Sequence, residues 1–206
     1  MSRDAAPRRS LPVEAARRVE LLVLDADGVL TDGAIYLSET PGGEVRTAQR
    51  FDAQDGLALY LLRAAGIRLA VVSGRPSVPV RARALELGIE EVHQVSAFEK
   101  LRAVEGILER NDVSWEEVAC LADDLADLPV LERVGLPAAV ANAVPRVRAA
   151  AVWTTRARGG RGAIREFVEE LLTARGDWER VVEEYLEACR GGENGGQRAG
   201  EPGGEG

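Results

Sequence analysis

A doubly wound α/β domain on a parallel sheet is the fold the sequence predicts, on two observations. Apolar runs of strand length recur at 20–25, 67–72, 91–95, 117–121, 137–140 and 150–154. Between most of them lie segments with apolar residues three and four apart, at 55–65, 77–87, 98–110, 125–134 and 162–174. Strands that alternate with helices pair in parallel and are covered on both faces.

Each element has its local reason. The first strand, "ELLVLD", is a continuous apolar run, as a central buried strand must be. Residues 34–50, "AIYLSETPGGEVRTAQR", break the alternation with two short strands around "TPGG", so a β-hairpin flap is inserted directly after that first strand. No other insertion is long enough to form a large cap. Gly66 and Gly88 stand where the helices at 55–65 and 77–87 must stop. "DWERVVEEYLEAC" reads as an amphipathic terminal helix. The expected organisation is a flexible segment over 1–17, one domain over 18–190, and a disordered Gly-rich tail over 191–206. With 206 residues, 46% of them hydrophobic, the chain supplies one well-buried core and too little for two.

Composition narrows the function. A net charge of -8, with no stripe of basic and aromatic residues, argues against a nucleic-acid partner. No stretch approaches the ~18 apolar residues of a membrane span, and the N-terminus has no apolar run of signal-peptide type, so a cytoplasmic protein without a membrane partner is expected. His93 is the sole histidine, which removes His-dependent triads and Cys/His zinc centres; it reads as a strand-end residue. Cys120 and Cys189 read as reduced thiols. Lys100 is the only lysine among 26 basic residues, so it is expected to do something a guanidinium cannot.

In a parallel sheet the ligand site lies beyond the carboxyl ends of the strands, and the chemically unusual residues fall there. The first strand runs into Asp25 and Asp27, the second into Ser73, Gly74 and Arg75, the third leads to Lys100, and the fourth enters "LADDLADLP" with Asp123, Asp124 and Asp127. Clustered carboxylates repel unless a cation joins them, and hard oxygen ligands suit Mg2+. A lysine, a hydroxyl and backbone amides beside such a cation describe a cradle for a phosphate group. A carboxylate held there can attack phosphorus, and a second one two residues on can protonate the leaving alcohol and then activate water.

"DADGVLTDG", "SGR", the isolated Lys100 and "ADDLADLPV" together resemble the four motifs of the haloacid dehalogenase superfamily of phosphatases. With the hairpin, "FDAQDG" at 51–56 and "GGRGAIRE" at 159–166, the chain from about residue 18 to 174 is similar to the small capless branch of 3-deoxy-D-manno-octulosonate 8-phosphate (KDO 8-phosphate) phosphatases. The resemblance implies the Rossmann-like fold of that superfamily, a phosphomonoester hydrolase, Mg2+ as cofactor, a sugar-acid phosphate as substrate and a homotetramer. It implies Asp25 as nucleophile and metal ligand, Asp27 as acid/base with a further link to the metal, and Asp123 as the third protein ligand. Ser73 and Lys100 would hold the phosphoryl group, and Asp124 and Asp127 would orient the metal shell and Lys100. Substrate contacts would fall on Asp27, Gly28, Asp52, Ala53, Gln54, Asp55, Gly56, Gly74, Arg75, Arg83 and Lys100.

The chain departs from the branch at Gln54, where arginine is usual, at Ala122 for glycine, at Asn142 for aspartate, and in a loop one residue longer before Lys100. A phosphoacceptor receiver domain uses similar residues, but there the acid pair comes first and the phosphorylated aspartate later, the reverse of the order here. Other readings are a phosphatase-like module that assembles with a sugar-activating partner such as a cytidylyltransferase, and a phosphatase for another small phosphorylated metabolite.

Overall fold

A computed structural model describes residues 10–191. In chain order the elements are α1 (Val13–Arg18), β1 (Leu21–Leu24), β2 (Tyr36–Glu39), β3 (Val45–Ala48), α2 (Ala53–Ala64), β4 (Arg68–Ser73), α3 (Val78–Glu86), β5 (Glu91–Gln94), α4 (Lys100–Asn111), β6 (Val118–Ala122), α5 (Leu128–Leu131), β7 (Leu136–Ala139), α6 (Pro145–Ala150), β8 (Trp153–Thr154), α7 (Ala163–Arg175) and α8 (Trp178–Gly191).

All four residues of β1 are buried, because the strand is central in a six-stranded parallel sheet of order β5-β4-β1-β6-β7-β8. The chain runs outward from β1 through β4 to β5, then returns to β1's other side at β6. The reversal opens a crevice at the carboxyl end of β1, flanked by β4 and β6. Strands β2 and β3 pair with each other as an antiparallel hairpin, apart from the main sheet.

Two segments differ from the sequence expectation. The N-terminal stretch expected to be flexible up to residue 17 docks from Leu11 onward: Leu11, Ala15 and Ala16 are buried, and Val13–Arg18 is helical. Arg175 of α7 donates to the carbonyls of Ala16, Arg17 and Val19, satisfying the end of this short helix from a residue far away in sequence. The helix expected over 125–134 is a 3-10 turn at Leu125–Asp127 followed by α5. Pro129 has no N–H and is tolerated only in a first turn, so the α-helix starts just before it. Residues 1–9 and the tail beyond Gly191 lie outside the described residues.

Asp55, expected to contact substrate, ties α2 to α7. It is 1% exposed and accepts from the backbone N–H groups of Arg165, at 2.8 Å, and Gly162, at 3.3 Å. Burial pushes its carboxyl up to about 6 against the pull of these hydrogen bonds. A group raised in the folded state stabilises fully below its unfolded value of 3.8 and loses that contribution as pH rises through about 6. The unfolding free energy of the wild type, read from urea denaturation, should therefore fall relative to that of Asp55→Asn as pH rises from about 4.5 to about 6.5, by about 2 kcal/mol. Parallel pH profiles of the two proteins would contradict this.

Candidate active site

Asp25 follows β1 directly and extends its ladder, its N–H donating to Leu121 O at 3.2 Å. The next residues wind tightly: Gly28 takes φ 91°, and Thr31 Oγ1 accepts from Gly28 N and Gly33 N and donates to Ala26 O. A Cβ on Gly28 would lie 2.0 Å from Asp123 Oδ2, so both its conformation and its closeness to β6 require glycine. The sheet thereby brings Asp25 and Asp123 together from adjacent strands.

Lys100 opens α4 and reaches across the crevice. Its Nζ lies 2.5 Å from Asp25 Oδ1 and 2.8 Å from Asp127 Oδ1, and the residue is 4% exposed. Its stem passes close to Gly74, where a Cβ would stand 3.3 Å from Lys100 Cε. Burial works against the ammonium charge, but Asp25 and Asp127 outweigh it and hold Lys100 above the ordinary lysine range.

Asp25, Asp123 and Asp127 each offer an oxygen within 4.8 Å of the others. Against three carboxylates stands one ammonium. Burial first, then mutual repulsion, pushes Asp123 up to about 8 and Asp127 up to about 7, with Lys100 opposing the rise at Asp127. Asp25 is also raised by burial, with Lys100 opposing. Asp123 Oδ1 and Asp127 Oδ2 are buried without a hydrogen-bond partner. Unpaired buried oxygens in a cluster of excess negative charge are the donor set of a hard divalent cation.

The remaining candidates divide into those at the crevice and those that support it. Ser73 is buried at the end of β4 and donates to Arg75 O at 2.9 Å. The Asp27 carboxylate pairs with Arg75 and Gln49. Asp124 is exposed and accepts from Leu125 N, so its side chain serves the turn that follows β6 and stands outside the cluster of three acids. An antiparallel bridge between Thr31 and Phe51 carries the segment 52–56 to the β1 loop. There Asp52 caps α2 by accepting from Gln54 N, while Ala53 and Gln54 are exposed. Gly56 makes room for Arg83, whose guanidinium would be 2.6 Å from a Cβ at that position and pairs with Glu86.

Three contributors were not singled out from sequence: Gln49, the glycines of "GGRGAIRE" as packing residues, and Asn142 as a clasp. Asn142 donates to Gly28 O at 2.9 Å and accepts from Gly159 N at 2.7 Å, a pair of roles that needs both ends of an amide. A Cβ on Gly159 would be 1.7 Å from Gly28 O, so the 159–162 segment lies directly on the β1 loop. Arg161 pairs with Asp32 there, and Arg50 donates to Gly160 O. Ala122, another departure, is an ordinary buried strand residue paired with Ala139.

Known proteins share this chain's sequence and fold. The family model of haloacid dehalogenase-like hydrolases matches residues 95–166. The Escherichia coli K12 protein named 3-deoxy-D-manno-octulosonate 8-phosphate phosphatase KdsC is 40% identical over 164 residues, 80% of this chain and 85% of that one. The crystal structure of the Moraxella catarrhalis phosphatase of the same name, in complex with a magnesium ion, a phosphate ion and KDO, superposes with a TM-score of 0.78 at 33% identity, covering 84% of this chain and 97% of that one. The Yersinia pestis enzyme gives 0.75 at 36% identity, covering 81% and 88%. Like them in fold over nearly their whole length, the chain belongs to the haloacid dehalogenase-like hydrolases and is a phosphatase of the KDO 8-phosphate phosphatase branch.

Proposed function

We propose that this phosphatase hydrolyses the phosphomonoester of a sugar acid, KDO 8-phosphate being the leading candidate, through a phosphorylated Asp25 and with Mg2+ as cofactor. The observation that carries the reading is the buried group of Asp25, Asp123, Asp127 and Lys100 at the carboxyl end of the central strand, with two carboxylate oxygens unpaired. Asp25, Asp123 and Asp127 have the oxygens to hold the ion, directly or through water, and the resemblance adds Asp27 and Asp124 to its surroundings. The bound cation would neutralise the carboxylates and polarise the phosphoryl oxygens.

Asp25 then attacks phosphorus as the bond to the leaving oxygen breaks, and Asp27 gives that oxygen its proton. In the second half Asp27 takes a proton from water as the water oxygen bonds to phosphorus and Asp25 is released. Lys100 and Ser73 hold the phosphoryl oxygens, and Lys100 also fixes Asp25 through the ion pair described above. A screen of sugar-acid phosphates with Mg2+ should find turnover that EDTA abolishes. Turnover undiminished by EDTA, or confined to phosphates without a carboxylate, would overturn the reading.

Gln54 bears on substrate choice. It is exposed in the first turn of α2, beside the β1 loop. Gln54→Arg should raise kcat/KM for a carboxylate-bearing phosphate relative to a neutral sugar phosphate by about tenfold, since a charge-assisted pair replaces a neutral contact. An unchanged ratio would put this turn out of the substrate's reach.

The same reading calls for an oligomer, a homotetramer. The hairpin flap is too small to exclude water from the crevice, and its Tyr36, Leu37 and Val45 are each more than half exposed, so its apolar side chains and strand edges await a partner. Closed symmetry would let one flap surface serve every subunit. Light scattering should give a mass near four times 22.1 kDa. A fully active monomer would contradict the assignment.

A further inference from the structure

The turn that follows β7 grips Asp123 from two sides. Val144 N donates to Asp123 O at 2.8 Å, which fixes the main chain of that acid. Two residues earlier, Asn142 Nδ2 donates to Gly28 O at 2.9 Å, and Gly28 lies against the Asp123 carboxylate, so closely that a Cβ there would be 2.0 Å from Oδ2. The other end of the same amide accepts from Gly159 N at 2.7 Å. Gly159 in turn covers the peptide between Gly28 and Val29, and Gly160 N donates to Val29 O at 3.0 Å. The turn is itself anchored, because Ala141 N donates to Thr155 Oγ1 at 3.0 Å and Ala143 is buried.

Strand pairing places Asp25, whose N–H extends the ladder to Leu121 O. The Asp123 carboxylate depends more on contact: its Oδ1 is buried without a hydrogen-bond partner, and the Gly28 backbone stands against its Oδ2. Whatever holds Gly28 therefore sets how far the Asp123 oxygens stand from those of Asp25. We propose that Asn142 is a positioning residue for the cation site, holding Gly28 against Asp123 so that the acids keep the spacing a small ion requires. Mg2+ demands near-ideal octahedral geometry with short bonds, whereas Ca2+ accepts longer bonds and larger, irregular coordination shells. A site loosened by loss of the clasp loses affinity for Mg2+ and keeps it for Ca2+. The amide does this as donor and acceptor at once, and it adds no charge beside the acids. The role rests on the Mg2+ reading given above.

Calorimetric titration of the full chain, stripped of metal with EDTA and dialysed, with MgCl2 and separately with CaCl2 tests this without substrate or turnover. Asn142→Ala and Asn142→Leu each remove the donor to Gly28 O and the acceptor for Gly159 N. Each should raise the Kd for Mg2+ by about tenfold or more, the loss typical when a group that orients a metal ligand is removed, while the Kd for Ca2+ changes by less than about threefold. The ratio of the two constants is the readout. A residue that only supports the fold would lower the melting temperature and leave that ratio unchanged, or weaken both ions alike. Circular dichroism shows which variants are folded, and leucine, close in shape to asparagine, fills the space that alanine vacates. A folded variant of either kind with the wild-type ratio would overturn the role of Asn142 and leave the Mg2+ reading standing. Wild-type protein that binds neither ion would overturn that reading and the role that rests on it.

Discussion

Asp25→Asn protein should fold as the wild type does and lose at least about a thousandfold in kcat, the order expected when a covalent nucleophile is removed. An amide has no charged oxygen with which to attack phosphorus. The fold should survive because β1 is held by its four apolar side chains and two parallel neighbours, and because the substitution removes one charge from a cluster in which three carboxylates face one ammonium. Steady-state assay with circular dichroism on the same sample checks both halves. Folded variant protein retaining more than about a tenth of the wild-type rate would mean that water attacks the phosphoryl group without Asp25.

Lys100→Arg is expected to lose more than tenfold and to approach a hundredfold, as when one preorganised donor to a developing oxyanion is removed. The lysine is buried between Asp25 and Asp127 and its stem runs past Gly74 with no room to spare. A planar guanidinium carries the same charge but needs a wider channel and aims its donors in a fixed fork. Rates within about twofold of wild type would show that charge alone is required at this position.

The general architecture was legible because its causes are local. Periodicities of two and of three to four residues separate strands from helices, and in a parallel sheet the ends of strands are where a site must form. Strand ends alone therefore place Asp25, Ser73, Lys100 and Asp123 at one crevice. What was not legible depends on partners distant in sequence. The short α1 has few residues with which to declare itself, and its C-terminal carbonyls are satisfied by Arg175. Asp55 and Gly56 share a motif with Gln54, yet they face α7 and Arg83, because on a helix neighbouring residues point in different directions. Gln49 meets Asp27 across 22 residues, and no local pattern distinguishes it from any polar residue ending a strand. From sequence alone the arginines of "RARGGRGAIRE" read equally as a solvated helix start or a subunit contact. Arg161 pairs with Asp32 inside the chain, and the motif's glycines lie on the β1 loop.

The central claim is that Asp25 carries the phosphoryl group during turnover. Enzyme mixed with substrate and Mg2+, quenched in acid within a turnover and reduced with borohydride, converts an aspartyl phosphate to homoserine, which mass spectrometry locates in the peptide. Homoserine at position 25, dependent on substrate and absent from unreacted enzyme, is the result this account predicts. Homoserine at another aspartate, or none at position 25 from enzyme that is turning over and trapped across the full time course, would contradict it.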